Sequence, residues 1–279
     1  MSVLPVPTID HVVVNVRDRL DEAVETYRRL GFTMTPRGYH TLGSMNHLAI
    51  FGTDYLELIA ARPGDARHTD ILGWPLGLNG LVFGTEDSAA VYAALDAAGL
   101  PVEPPLEFSR PVALSAGERD ARFRTVRLKP GVIEAGRVYF CHHFTRDLVW
   151  RDEWRHHPNG ATGVIRVTIA ADDPAALGAV FTCMFGADAV QSGEAGCSLA
   201  VGLSRVDIVP PDALRAEFGA AAPDGSGRNQ FMAALSLRTR SLDAAAAALR
   251  AGGVAAQREP DRILVAAADA FGVTLEFRP

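Results

Sequence analysis

Histidine is missing from residues 158–279, although the chain contains eight histidines, all of them between His11 and His157. Any site that depends on imidazole side chains is therefore expected in the first half of the chain. Cysteine is also scarce. The three cysteines are few and odd in number, so a disulfide framework is not expected.

Long hydrophobic runs are missing as well. No apolar segment approaches the length that a membrane-spanning helix needs. The first residues, 1–5, lack the basic segment and apolar stretch of a secretory leader. These absences predict a cytoplasmic protein that is not embedded in a membrane.

Acidic residues outnumber basic ones, and the formal net charge is −6. A chain with this balance has no general attraction for phosphate backbones, so a nucleic-acid partner is not expected. The basic residues cluster in one place: Arg119, Arg122, Arg124, Arg127 and Lys129. We interpret that cluster as a solvated edge strand, whose charges discourage aggregation between sheets.

The pattern that is present occurs four times: a short apolar strand, an amphipathic helix ending at glycine, and further strands. The first unit begins with a strand over residues 9–16, rich in β-branched side chains, and its helix ends at Gly31. The helices of the later units end at Gly99, Gly186 and Gly252. Three units finish on an acid between apolar residues: Glu57, Asp207 and Glu276. We therefore predict an α+β fold of four βαβββ modules.

The length of 279 residues suits two domains with separate cores. We predict an N-terminal domain over residues 1–145, a linker over 146–162 that ends in the turn-forming Pro158-Asn159-Gly160, and a C-terminal domain over 163–279. Each domain would contain two modules. The segments 101–109 and 210–227 are interpreted as surface insertions.

Strand alternation indicates which residues are able to perform chemistry. On the first strand His11, Val13 and Asn15 share one face, and on the last strand of the first module Tyr55 and Glu57 do so. The opposite faces are uniformly apolar and suit packing against a helix. His11 and Glu57 are thereby sent to the other side of the sheet, where a buried carboxylate needs a partner.

Two alternatives remain open for this pair. Taken separately, His11 is interpreted as a half-buried structural histidine and Glu57 as a carboxylate at a sheet edge. Taken together with a histidine on the last strand of the second module, they form two imidazoles and one carboxylate, which suits a divalent metal such as Fe, Mn, Ni or Zn. His142 and His143 point to opposite faces, and the parity of the strand favours His143 as the third ligand.

Tandem βαβββ modules with this pattern resemble the vicinal oxygen chelate superfamily, which has the glyoxalase, bleomycin-resistance and dihydroxybiphenyl-dioxygenase fold. More narrowly, four segments are similar to the glyoxalase-like domain family: residues 10–13, 38–46, 55–58 and 157–161. The resemblance implies that paired modules form a cup holding a metal through His11 and Glu57. The first strand of the second module offers Leu81 or Phe83 instead of the usual ligand, so a four-ligand glyoxalase I site is not reproduced.

The resemblance implies a metal-dependent enzyme acting on a small oxygen-rich molecule, by isomerase, lyase or oxygenase chemistry. Glu57 and His40 are the candidate catalytic residues, and Asn46, Tyr55 and Asn15 the candidate substrate-binding residues. The alternative is a metal-free protein of the same fold that binds and sequesters a small molecule. A homodimer is also expected.

Overall fold

The fold was analysed in a computed structural model, which describes residues 4–115 and 117–279. The elements of the N-terminal half are β1 (Ile9–Asn15), α1 (Leu20–Arg29), β2 (Gly38–Tyr39), β3 (Met45–Ile50), β4 (Tyr55–Ala60), α2 (Thr69–Leu72), β5 (Gly77–Gly84), α3 (Ser88–Ala97), β6 (Leu106–Leu114), β7 (Gly117–Arg127) and β8 (Arg137–His143). Two 3-10 turns, Arg146–Leu148 and Asp152–Trp154, lie in the connection to the second half.

The C-terminal half repeats this order. Its elements are β9 (Ala161–Ala171), α4 (Pro174–Phe185), β10 (Val190–Gly193), β11 (Gly196–Val201), β12 (Ser204–Val209), α5 (Pro211–Phe218), β13 (Gln230–Thr239), α6 (Leu242–Ala251), β14 (Gln257–Arg258), β15 (Ile263–Val265) and β16 (Thr274–Arg278). β9 begins at Ala161, so the last two residues of the predicted linker belong to a strand.

Each half is one eight-stranded sheet made of two modules. The strand orders are β2-β3-β4-β1-β5-β8-β7-β6 and β10-β11-β12-β9-β13-β16-β15-β14. In both sheets the first strands of the two modules pair antiparallel at the centre, and each pairs parallel with the last strand of its own module. The predicted α+β fold, with four βαβββ modules in two paired-module domains, is confirmed.

The helices begin and end where local chemistry favours it. The Asp173 carboxylate accepts a hydrogen bond from the backbone N–H of Ala176 at the start of α4, and the Ser241 hydroxyl accepts one at the start of α6. Gly31 follows α1 with a φ of 85°, in the left-handed region that glycine tolerates. The ends of these helices are thus set by residues close to them in the chain.

The two halves share one hydrophobic core. Val12 and Val14 of β1 belong to the same buried cluster as Val167 and Ile169 of β9, and all four side chains are fully excluded from solvent. Contacts near the connection reinforce this packing. The His157 ring accepts a hydrogen bond from the backbone N–H of Thr33 (3.0 Å) and lies 2.9 Å from the Ile50 carbonyl oxygen. The halves are therefore not independently packed.

One predicted insertion has a different structure. The segment 210–227 contains α5, which buries Leu214 and Phe218 against the C-terminal sheet, where they cluster with Phe231 and Leu264. The apolar spacing of this short helix is what makes the segment a cover for the sheet. Among the residues that the structure describes, no helix combines the length and the apolar character needed to cross a membrane.

Gly252 provides a test of the packing between the halves. A Cβ atom added there would collide with the backbone carbonyl of Arg29, whose Nε donates a hydrogen bond to the Gly252 carbonyl. We expect Gly252→Ala to lower the free energy of unfolding by about 1–3 kcal/mol, because neither backbone can move away freely. Urea unfolding measures this value. Gly193→Ala is the control on an exposed strand, where the nearest atom to the added Cβ is the Gly196 carbonyl oxygen at 3.9 Å, and it should change stability by less than about 0.5 kcal/mol.

Asp54 provides a second test, since its carboxylate accepts the backbone N–H of Val164 in the other half (2.9 Å). Burial raises the pKa of Asp54 to about 7. Between pH 4 and 7 the unfolded chain would lose this proton while the folded chain keeps it, so the wild type is destabilised as the pH rises. Asp54→Asn removes that penalty and keeps the acceptor oxygen.

We expect the variant to gain about 3–4 kcal/mol relative to the wild type between pH 4 and pH 8. Urea unfolding at a series of pH values checks this prediction. A difference between the two proteins that stays constant with pH would contradict it.

Candidate active site

The concave side of the N-terminal sheet forms a pocket that we call the N-terminal cup. The sheet curls until its two edges meet, and the backbone N–H of Thr41, just after β2, donates to the Ser109 carbonyl of β6 (2.9 Å). The enclosed cavity measures about 40 Å³. The polar residues that face it include His11, His40, Asn46, Glu57, Arg110 and Tyr139.

His11 and Glu57 meet inside this cup, as alternation on β1 and β4 predicts. The Nε2 atom of His11 lies 3.7 Å from Oε2 of Glu57, and both residues are buried. On its other side the His11 ring has Nδ1 2.6 Å from Oδ1 of Asp10. A proton on Nδ1 donates to that carboxylate, which leaves the lone pair of Nε2 directed into the cup.

A second histidine approaches Glu57 from β2. The Nε2 atom of His40 lies 4.0 Å from Oε1 of Glu57, and Nδ1 lies 2.8 Å from the Ser44 hydroxyl. Burial lowers the pKa of His40 to about 4, so the ring is neutral near pH 7. The Asn46 amide donates to Glu57 (2.6 Å) and lies 3.2 Å from His40 Nε2, and this contact links the two residues.

Two tyrosines frame His11. The Tyr55 ring is stacked on the imidazole, with ring centroids 4.4 Å apart and planes 9° apart. The Tyr139 hydroxyl lies 3.2 Å from His11 Nε2. Burial raises the pKa of both phenols above the usual value, so each stays protonated. Tyr139 can therefore donate its proton toward His11 or toward a molecule in the cup.

The residues at the base of the cup fit a divalent metal. Two ligands bonded at about 2.1 Å to a tetrahedral ion are roughly 3.4 Å apart, and His11 Nε2 and Glu57 Oε2 are 3.7 Å apart. Asp10 supplies the carboxylate that orients metal-binding histidines in many proteins. The described hydrogen bonds of Glu57 engage Oε1 and leave Oε2 facing the imidazole.

The third predicted ligand lies elsewhere. His143 is buried on the inner face of β8, but its Nε2 lies 3.0 Å from Oδ1 of Asp10, on the far side of His11 from Glu57. His142 faces the opposite way, against Phe144. The parity preference for His143 thus agrees with its position, whereas the set of His11, Glu57 and His143 does not converge on one point within the described ranges.

A different group does converge. Within residues 4–115 and 117–279, the cluster whose possible ligand atoms all lie within 4.8 Å of one another is Asp10, Cys141 and His143. β5 separates the strands that carry Asp10 and Cys141, and it has Gly84 opposite Cys141, so no side chain stands between them. Burial raises the pKa of the Cys141 thiol, and hydrogen bonds already account for the Asp10 and His143 contact.

The Asp10 carboxylate is ionised between two imidazoles. Burial raises the pKa of Asp10, but the nearby His143 and the hydrogen bonds from His11 and His143 outweigh that effect and hold the pKa well below its usual range. A single negative charge therefore positions both rings, and it does so from outside the cup.

Two other sequence-based assignments require correction. The Asn15 amide donates to the backbone carbonyls of Ile71 (2.9 Å) and Trp74 (3.2 Å). These hydrogen bonds hold the end of α2 and the residues after it, so the side chain is not free to bind substrate. Leu81 and Phe83, expected at the position of a ligand, lie in the hydrophobic core behind the sheet. Val82 lies opposite His11 and faces the cup instead.

Four further residues around the cup were not predicted from the sequence. Tyr139 shares a strand face with Cys141 and His143, and Arg127 shares one with Phe123, so alternation could have found both. Arg110 lies on an edge strand whose direction was not predicted. Asp10 could not have been found by alternation, because a β-bulge between Ile9 and His11 turns it toward the His11 side.

The C-terminal sheet has an arginine where the N-terminal sheet has His11. In the N-terminal half His11 pairs with Tyr55 on one side and Val82 on the other, and Val82 pairs with Tyr139. The matching row in the C-terminal half consists of Arg205, Arg166, Ser236 and Glu276. Arg166 thus takes the place of His11, and Glu276 that of Tyr139.

The Arg166 guanidinium fills this second cup with its own charge. It lies 2.9 Å from Glu276, 3.5 Å from Asp207 and 2.6 Å from Glu217, and Leu214 and Phe218 of α5 pack against the same sheet. These carboxylates are already paired to a permanent cation, and the candidate metal cluster found among residues 4–115 and 117–279 lies in the N-terminal half. The candidate site is confined to the N-terminal half.

The sequence matches one protein-family model, described as the glyoxalase-like domain, over residues 9–185. None of the curated proteins matches it. Solved structures with a similar fold include a hypothetical protein from Staphylococcus aureus, with a TM-score of 0.71 and 10% identity, covering 98% of this chain and 100% of that one.

A mutant of 4-hydroxymandelate synthase from Streptomyces coelicolor has a TM-score of 0.60 and 14% identity, covering 98% of this chain and 92% of that one. A xylose isomerase-like TIM barrel/4-hydroxyphenylpyruvate dioxygenase fusion protein has a TM-score of 0.59 and 14% identity over 98% of this chain. This chain spans 50% of that fusion protein's length. These likenesses establish a common fold.

Arg166 can be tested by its effect on stability. Arg166→Met leaves Glu276, which is fully buried, with one cation fewer, and we expect the free energy of unfolding to fall by about 2 kcal/mol. Arg205→Met is the matched control on the neighbouring strand. Its side chain is about half exposed, so a change below about 0.5 kcal/mol is expected. Equal losses in the two variants, measured by urea unfolding, would refute the assigned role of Arg166.

Proposed function

The chain belongs to the glyoxalase-like domain family of the vicinal oxygen chelate superfamily, and from this membership we propose that it is a metal-dependent enzyme acting on a small oxygen-rich molecule. The observation that carries the proposal is the buried pair of His11 Nε2 and Glu57 Oε2, 3.7 Å apart, with Asp10 behind the imidazole. An imidazole and a carboxylate held in this way form two ligands of an incomplete coordination sphere.

Each residue of the cup has a defined part in this proposal. His11 and Glu57 hold the metal, and Asp10 fixes the tautomer and orientation of His11. His143, which we expected as a third ligand, instead supports Asp10 from the far side (3.0 Å). The Tyr139 hydroxyl, 3.2 Å from His11, supplies a further oxygen on the same face.

The bound ion would act as a Lewis acid toward the oxygen atoms of the substrate. The side chains then move protons around it. His40 is neutral and keeps a lone pair on Nε2 close to Glu57, which suits a general base, and Ser44 holds its other nitrogen. Proton transfer of this kind belongs to isomerase and lyase chemistry, so His40 favours those reactions over oxygenation.

Two other outcomes are compatible with the same fold. The metal could bind to Asp10, Cys141 and His143 rather than to the cup, or the protein could sequester a small molecule without any metal. The cup has aromatic walls, including Tyr55 and Phe123, as such a binding protein would need. A cytoplasmic location and a homodimer stay predictions.

The decisive experiment measures metal content in the purified full-length chain after loading with Fe, Mn, Ni or Zn and removal of the excess. We expect about one ion per chain in the wild type and close to none in His11→Ala and Glu57→Gln, because each variant loses a ligand. His142→Ala, which alters the neighbouring outward histidine, should keep its metal. Far-ultraviolet circular dichroism confirms that each variant is folded.

The same measurement separates the three alternatives. Cys141→Ser should keep its metal if the cup is the site, whereas loss in Cys141→Ser together with retention in Glu57→Gln would move the site to Asp10, Cys141 and His143. Cobalt substitution adds an independent readout, since a thiolate ligand produces a charge-transfer absorption that a cup site lacks. A wild type that takes up none of the four metals would favour the sequestering protein.

A further inference from the structure

Two arginines project into the N-terminal cup without an acidic partner. Arg110, on β6, is only 6% exposed, and within the described residues no carboxylate lies within 4.0 Å of its guanidinium. Arg127, on β7, has a buried Nε atom without a hydrogen-bond partner, and its guanidinium lies 5.2 Å from the Tyr139 ring centroid. Both face the cavity that contains Glu57.

The other arginines of the same hairpin are paired. Arg119 contacts Asp147 (3.3 Å), and Arg124 donates to Glu107 through Nε (2.8 Å). The predicted edge strand is wrong, because β7 lies between β8 and β6. Arg124 is nevertheless on its outer, solvated face, and Arg119 is at its exposed end. Arg127 does not lie on the outer face, because alternation along the strand turns it to the inner face with Phe123. Among the described arginines of this hairpin, the two without an acidic partner, Arg110 and Arg127, are the ones that face the cup.

Burying an unpaired cation is costly, so the arrangement calls for an explanation. Burial lowers the pKa of Arg110, and the one carboxylate near it in the cup is Glu57, which already contacts Asn46 and faces His11. Two guanidinium groups against one carboxylate leave the interior with an excess positive charge. A divalent metal at His11 and Glu57 would increase that excess, so the missing partner is an anion.

We propose that Arg110 and Arg127 bind the anionic group of the molecule that enters the N-terminal cup, a carboxylate or a phosphate. The guanidinium group matches the planar oxygen pair of a carboxylate and accommodates phosphate in the same way. The cavity of about 40 Å³ holds a group of about three non-hydrogen atoms, so its size favours a carboxylate over the larger phosphate. Only the identification of this anion as part of the substrate rests on the proposed function.

Binding can be tested without the metal, on the full-length chain treated with a chelator. Isothermal titration with sodium acetate and with sodium phosphate, each against sodium chloride at the same ionic strength, should detect saturable binding in the wild type. Arg110→Met and Arg127→Met should weaken that binding by about 10- to 100-fold, because each removes a charge-assisted contact. Arg124→Met, on the same hairpin with its charge directed outward, is the matched control and should bind like the wild type.

Arg110→Lys keeps the charge but loses the planar fork, so intermediate binding is expected, and this variant preserves the test if Arg110→Met does not fold. Tighter binding of acetate than of phosphate would identify a carboxylate, and the reverse order a phosphate. Binding that is absent from the wild type, or equal in the wild type and both inward variants, would overturn the inference.

Metal content keeps this inference separate from the proposed function. Arg110→Met and Arg127→Met should retain the metal of the wild type, since neither residue is a ligand. Anion binding by a chain that takes up no metal would leave the inference intact and refute the proposed metal-dependent enzyme function. Metal uptake without an arginine-dependent anion site would refute the inference and leave the proposed enzyme function intact.

Discussion

The hydrogen bond between Asp10 and His11 is the interaction on which the candidate site depends. It fixes the imidazole tautomer, directs Nε2 toward Glu57 and places a buried negative charge where a second histidine, His143, also reaches it. Neighbouring residues on a regular strand point to opposite faces, so this contact needs the irregularity that separates Ile9 from His11 in the pairing of β1 with β5. One local departure from strand geometry therefore positions the His11 imidazole relative to Glu57.

The two halves have the same scaffold, but the charges inside their two cups are arranged differently. In the N-terminal half the central row presents an imidazole and a phenol, and its interior is left with unpaired guanidinium groups. In the C-terminal half Arg166 and Glu276 take those positions and neutralise each other. A cup whose charges are satisfied internally is a structural core, whereas a cup with unsatisfied charges is suited to a ligand. The distribution of histidine along the sequence reflects this division.

Burial keeps the titratable groups of the N-terminal cup in defined protonation states. The N-terminal cup is small and almost closed, because β2 and β6 meet at its rim and Trp150 packs against Tyr55. In such surroundings His40 stays neutral and the phenols stay protonated, so each group is held in a single protonation state near pH 7. The shared core behind the sheets keeps the strands in register, and the positions of the cup residues follow from that register.

The sequence by itself determined the four modules, their helix ends, and the inward direction of His11, Tyr55 and Glu57. Those features depend on interactions between residues close in the chain, on capping, and on the two-residue period of a strand. The tertiary structure decided the rest: the bulge at Asp10, the position of His143 beside it, the hydrogen bonds of Asn15 to the backbone near α2, and the inward direction of the Arg110 side chain. These depend on strand pairing and sheet closure between distant segments, and local periodicity contains no information about them.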